Sequence, residues 1–529
     1  MIFYYAQLFS LMNDKILFHI DRFQQKITTK KYKRMIIYAV IGINFMFYMI
    51  GNMLSEKLLL KEQSETTVGL SANELKTSPI YNYKNLFQTR QDAAGFSHKL
   101  GKKFIYFYYY KNLFPLATLE KNLIYSPQGA DDEINQRGAS LIMEYAHWAR
   151  LGENARIFAY LPDAFVRLSP ENPSIHLFNA ICFCCGLLSI LWGFEKIGYP
   201  LMGFLLVMMI NFTPFFIYEV YIKQNIFGLA ASTFLIVVGL NLPILFSKSV
   251  MPFKTISNII ISGALIGFFS QIRNEISIVL LTLILIYLCS NSFKLAYKII
   301  YISLGFIAFY GTTHAIQAYF NAKFDQTTQF VQQHGGHVYT GGRTTGHKLW
   351  HPIYCGLGDY DEKYGYAWSD EDAYAYAVPI LKNKYKIDVP YSDKTYLDTY
   401  YDKDKLYYKK FDEMPEYEQI VHDKVIHDMT NDPLWYINIL IKRICKILTT
   451  TLPFPLIGWL IFPLMYQLVK RKKWDFIKLI VVSLPLSVSS LIIYSGKGNT
   501  YNSIFPYFIL IIGLFILYEK KKTSALENV

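Results

Sequence analysis

Three carboxylates stand in a row at Asp131, Asp132 and Glu133, and Ile134, Leu141, Ile142, Tyr145 and Ala149 follow at helical spacing. Acids at a helix amino terminus are first of all caps, since they accept from free N–H groups and complement the macrodipole. The same placement holds a general base or a metal ligand on a rigid element, where a carboxylate can take a proton from an attacking hydroxyl. A second acidic start, Ser369–Asp370–Glu371–Asp372, precedes Ala373, Tyr374, Ala377 and Ile380. Here Ser369 or Asp370 reads as the capping residue.

Between these starts lies the densest polar stretch of the chain, with His334, His337, Arg343, His347, Lys348 and His351 ahead of HPIYCGLGDYDEKYGYAW at 351–368. The spacings of His334/His337 and His347/His351 could serve a metal, but no Cys pair accompanies them and the intervening glycines argue for a mobile loop. An anion site is the better expectation: Arg343, Lys348, His347 and His351 can neutralise a phosphate, and glycines let backbone N–H groups approach it. Arg273, beside Glu275, and Lys497, in the turn SGKGNTYN, sit at span ends, where ionisable groups are costly. They either pair or snorkel, or they hold the phosphate of a lipid-linked substrate.

The elements that must position these groups are membrane helices. Of 529 residues, 52% are hydrophobic, and long apolar runs recur along the chain. The net charge of +13 could suggest nucleic acid, but Lys30, Lys31, Lys33 and Arg34, the block Lys470–Lys473, and Lys520–Lys522 all flank apolar runs. The positive-inside rule accounts for them. The pattern predicts an all-α polytopic protein of about ten spans: Met35–Met53, Ser174–Phe194, Pro200–Val220, Ile226–Phe246, Thr255–Ser270, Ile276–Ser290, Tyr297–Tyr319, Thr450–Val469, Phe476–Tyr494 and Ile504–Tyr518. Met1–Ile20 reads as an interfacial amphipathic helix. The six cysteines imply no disulfide framework.

Counting crossings puts both termini and the lysine-rich turns inside, and two long segments, 54–173 and 320–446, outside. The predicted organisation is a basic segment 1–34, a transmembrane region 35–319 containing the first large loop, the second large loop 320–446, and terminal spans with a basic tail over 447–529. The two outer loops are expected to fold together as a small α-rich cap. Asp432–Leu448, apolar at helical spacing with Lys442 and Arg443 among its residues, predicts a helix in the interface.

This pattern resembles the GT-C superfamily of polytopic glycosyltransferases, which includes protein O-mannosyltransferases and aminoarabinose transferases. The resemblance rests on the inside amino terminus, the acidic start at Asp131–Glu133, Pro173 and His176 entering the second span, Arg273 after a middle span, and the large late loop. It implies a polyprenyl-phosphate sugar donor, Asp131 or Asp132 as base toward the acceptor, and cations such as Arg273 on the donor phosphate. Relatives carry the acid soon after the first span, whereas here Leu54–Ala130 intervenes.

The expected function is transfer of a sugar to an envelope glycan, lipid or protein outside the cytoplasm of a bacterial inner membrane. No cofactor is required by this reading, although a divalent metal is compatible with it, and nucleic acid is not an expected partner. The competing expectations are an O-antigen polymerase or ligase and, from another class, a transporter or flippase. Transporters place ionisable groups near the midplane and repeat broken helices. The spans here carry Asn44, Asn211 and Asn241 instead.

Overall fold

An apolar segment in lipid must satisfy its own backbone N–H and C=O groups, so each predicted span is expected to be helical. A computed structural model describes residues 22–23, 26–65, 176–222, 228–246, 252–333, 349–387, 391–392, 395–396, 399–402, 405–408, 414–493, 496 and 503–527. Each of the ten predicted spans coincides with a helix or a closely spaced helix pair. The first eight helices are α1 (Lys30–Glu65), α2 (His176–Lys196), α3 (Pro200–Asn211), α4 (Pro214–Ile222), α5 (Gly228–Phe246), α6 (Pro252–Ile272), α7 (Val279–Cys289) and α8 (Leu295–Gln333). After the segment that forms the cap come α13 (Ile461–Lys470), α14 (Trp474–Ser483), α15 (Val488–Ile492) and α16 (Phe505–Glu527).

Among the described residues six segments are long and apolar enough to cross a membrane, and the chain is an integral membrane protein. The pair α3–α4, bent by 56°, makes a seventh if it counts as one span. Pro214 causes the bend: it follows Thr213 in extended backbone, and proline cannot continue the hydrogen-bond ladder. The other three predicted spans, at Asn274–Cys289, Ile457–Lys470 and Phe505–Glu519, are apolar helices of 10–17 residues. At 1.5 Å per residue they rise roughly 15–26 Å, short of a ~30 Å hydrocarbon core.

Small residues bring the spans together. A Cβ on Gly239 of α5 would lie 2.3 Å from the carbonyl carbon of Ser189 on α2. Gly263 and Gly267, one turn apart on α6, would put a Cβ 2.4 and 2.6 Å from the carbonyl oxygens of Gly305 and Phe309 on α8. Without a hydrophobic force between helices in lipid, such backbone approach supplies the dispersion contact. At one end of the bundle the Tyr199 ring lies 5.3–6.3 Å from those of Phe246, Phe476 and Phe515, beside the Lys473–Glu519 ion pair. This gathers the turn after Lys196, the end of α5 and the lysine-rich turn at one end, as the charge count requires.

At the other end sits a cap with its own core. Helices α9 (Trp350–Leu357), α10 (Asp370–Ile380), α11 (Pro415–Asn431) and α12 (Pro433–Thr449) bury Tyr354, Ala373, Tyr417, Val421, Val425 and Ile439 among themselves. Two of these starts are capped by side chains, the first of them as expected. The Ser369 side chain accepts from the backbone N–H of Asp372 at 3.3 Å, and Asp432 accepts from that of Trp435 at 3.1 Å. Two short antiparallel hairpins, β1–β2 (Tyr391–Ser392 with Thr395–Tyr396) and β3–β4 (Thr399–Asp402 with Lys405–Tyr408), add strands that an all-helical expectation lacks. Tyrosine and threonine favour extended backbone, and this run is rich in both. Of the first large loop, predicted over 54–173, residues 54–65 continue α1, and the rest of it, like Met1–Ile20, lies outside the described residues.

The glycine- and aromatic-rich stretch after α9 is held by one carboxylate. Asp361 accepts from the backbone N–H groups of Lys363, Tyr364 and Tyr366 at 2.8–3.0 Å and from Trp435 Nε1 at 3.0 Å. Burial alone would raise its pKa, but these donors outweigh it and hold the carboxyl below its ordinary value.

Candidate functional site

The groups able to do chemistry at low dielectric collect where the cap meets the bundle. Arg273 follows α6 directly and donates through Nε, at 2.7 Å, and Nη2 to Glu275 Oε2 in the turn ahead of α7. The side chains of this pair are only 8% and 12% exposed. Glu275 Oε1 accepts from Ser489 Oγ of α15 at 3.3 Å. Gln317 of α8 reaches Gln271 at 3.3 Å on the turn below. Burying a charge costs several kcal/mol unless it is paired and hydrogen-bonded, and both conditions hold for Arg273.

Arg443 extends this polar seam into the cap. Its side chain is fully buried, and it donates to the carbonyls of Leu491 and Ile492 at 2.9 Å and to that of Gly356 at 2.6 Å. Those carbonyls belong to the last turns of α15 and α9, so two negative helix ends converge on one guanidinium. Its neighbour Lys442 is half-buried at the surface and reaches the exposed Glu362 at 3.4 Å. One cation of the predicted interfacial helix therefore faces solvent, while the other fastens the cap to the bundle.

Inside the cap, His351 is buried and bound at both ring nitrogens. Nδ1 meets the Tyr417 hydroxyl and Nε2 meets Asp370 Oδ1 at 3.0 Å, with the Tyr374 ring stacked at 5.6 Å. Cys355 Sγ lies 3.7 Å from the same Nε2 and donates to the Ser369 carbonyl. Burial, reinforced by the Asp370 charge, pushes this thiol up to about 12, so it is no thiolate nucleophile at neutral pH. The triad geometry of a cysteine hydrolase is absent as well, because thiol and carboxylate share one nitrogen instead of flanking the ring.

The predicted site residues separate accordingly. Arg273 takes its place at the mouth of the bundle, committed to Glu275. His351 does not reach that mouth, since it is enclosed in the cap core and both nitrogens are engaged. Asp131, Asp132, Glu133, Arg343, His347, Lys348 and Lys497 lie outside the described residues, as do His334 and His337.

Three groups were not among the expected site residues. Arg443 falls with Ile439 and Ile447 at four-residue spacing on the buried face of α12, and an arginine on an apolar stripe was the available signal. Cys355 stands one helical turn after His351. Glu219 is buried in the π-helical turn Ile217–Ile222. The acid is the penultimate residue of the predicted span Pro200–Val220. A π turn that displaces an acid is often a functional feature.

No protein-family model, curated protein or solved structure matches this chain.

Proposed function

We propose that this chain is a GT-C-type integral-membrane glycosyltransferase. It takes sugar from a polyprenyl-phosphate donor and passes it to an envelope glycan, lipid or protein acceptor on the face that carries the cap. In this reading all ten apolar segments cross the bilayer and both termini are cytoplasmic. The observation that carries it is Arg273, a buried cation at the cap end of the bundle. Arg273 is paired with Glu275, and the seam leads on through Ser489 and α15 to Arg443.

A lipid phosphate is already a good leaving group, so the reaction needs a base for the acceptor and cations for the charge that develops on phosphate oxygen. Asp131 or Asp132 is the proposed base, with Glu133 beside them. Arg273, Arg343, Lys348 and Lys497 are the proposed phosphate ligands, with His347. The bundle supplies a slot for the isoprenoid tail, and the cap orients the acceptor. Transfer from a labelled lipid-linked sugar by purified protein tests the reading. Full transfer by both Asp131→Asn and Asp132→Asn would exclude either as base, and the absence of any transfer product from candidate acceptors would remove the activity itself.

One observation favours a second reading, transport. The broken pair α3–α4 and the buried Glu219 at its π turn are features of transporter spans. Uptake or flipping in proteoliposomes with no covalent product selects that reading.

A further inference from the structure

His351 and Cys355 stand four residues apart on α9, a spacing that turns both side chains toward one point. The first residue of α10, Asp370, meets them there. One nitrogen, one sulfur and one oxygen all lie within 4.8 Å of one another. Zinc binds N at ~2.0–2.1 Å, O at ~2.0–2.2 Å and S at ~2.3 Å, so neighbouring ligands of a tetrahedral site are separated by ~3.3–3.8 Å. The observed separations from His351 Nε2, 3.0 Å to Asp370 Oδ1 and 3.7 Å to Cys355 Sγ, need shifts of only a few tenths of an ångström.

The surroundings suit an ion as well. A ligating histidine ordinarily binds an outer group through its second nitrogen, and Tyr417 does this at Nδ1. Tyr374, stacked on the ring, fixes its plane. Two ligands are buried, while the Asp370 side chain is 57% exposed, which leaves a path from solvent and room for water as a fourth ligand. The ligand set combines a thiolate, an imidazole and a carboxylate, which favours zinc over magnesium or calcium.

We propose that His351 Nε2, Cys355 Sγ and Asp370 Oδ1 bind a divalent ion of the zinc class that pins α9 to α10. Coordination deprotonates Cys355, and the proton leaves to solvent on the Asp370 side. Because the Gly356 carbonyl of α9 is a partner of Arg443, the ion also steadies the surface on which the cap docks. The competing arrangement is ion-free, with Tyr417 donating to Nδ1 and Nε2–H donating to Asp370.

Cobalt substitution separates the two. Full-length protein in detergent is stripped with a chelator and titrated with Co2+, while elemental analysis follows metal content. The expected result is about one ion per chain with a thiolate-to-cobalt charge-transfer band. Cys355→Ser abolishes the band, His351→Gln loses stoichiometric binding, and Asp370→Asn keeps the band but binds at least about tenfold more weakly. A wild-type titration without the band overturns the site even if no variant folds. A band that persists in Cys355→Ser overturns it too, by assigning the thiolate to another cysteine. These readouts require no glycosyl transfer, so they stand or fall apart from the proposed activity.

Discussion

The two ends of the helical bundle carry the same kind of interaction in opposite settings. At the basic end, Lys33 pairs with Glu195 at 33% and 36% exposure, and Lys473 with Glu519 at 36% and 31%. A cavity of about 170 Å³ between α1, α2 and α3 opens beside the first pair and is otherwise lined by apolar side chains such as Ile36, Leu188 and Phe204. At the cap end, Arg273 and Glu275 are nearly enclosed and Arg443 is wholly so. Solvated pairs contribute little, because water screens them and long side chains lose freedom. Enclosed ones are expensive to keep and more expensive to break. The costlier charges of the bundle are therefore held at its cap end and the cheaper ones at its basic end.

The sharpest way to break this contrast is Arg443→Met, which removes the donor from three carbonyls at once. The expected loss is on the order of 5 kcal/mol in equilibrium unfolding, with new protease cleavage between cap and bundle. A variant that unfolds like the parent would show that the seam is incidental. Next comes Arg273→Met, which strands Glu275 and should cost about 3 kcal/mol, whereas Arg273→Met combined with Glu275→Met should recover most of that stability. A double-mutant cycle on the pair reads the coupling directly. Under the proposed function the double variant, though stable, has no transferase activity.

Asp361→Asn should cost about 2 kcal/mol at neutral pH, because an amide is a weaker acceptor for four N–H donors. Since folding depresses the Asp361 pKa, its contribution is present above the unfolded value of ~3.9 and is lost as pH falls through the folded one. The acid limb of cap unfolding, followed by Trp435 fluorescence, should therefore be flatter in the variant than in the parent. The smallest effect is expected from Lys33→Met or Glu195→Gln, below about 1 kcal/mol and diminished further by salt. A larger or salt-independent loss there would erase the distinction between the two ends.

Much of the fold was legible in residue order. Ser369 and Asp432 cap helices because short polar side chains reach the free N–H groups two or three residues on, a local rule that needs no partner. The spans were legible because apolar length is also local, and Asp432–Leu448 became α12 as its periodicity required. The site was much less so. Arg273 was identified, and its pairing with Glu275 two residues on was one of the expected readings, but the link from Glu275 to Ser489 joins positions more than two hundred residues apart. His351 was expected in an anion loop and instead became a core residue, because Tyr417 and Asp370 close on it from other helices.

Residue order alone therefore determined a membrane protein with its basic turns at one end, where each helix and cap follows from neighbours within a few positions. Which cations would be solvated and which enclosed was decided only by tertiary packing. Lys442 and Arg443 are adjacent in the chain and similar in charge, yet α12 turns one outward and the other into two helix ends. The reason is physical: the burial of a charge depends on the carbonyls and carboxylates that distant segments bring to it, and no local pattern encodes those.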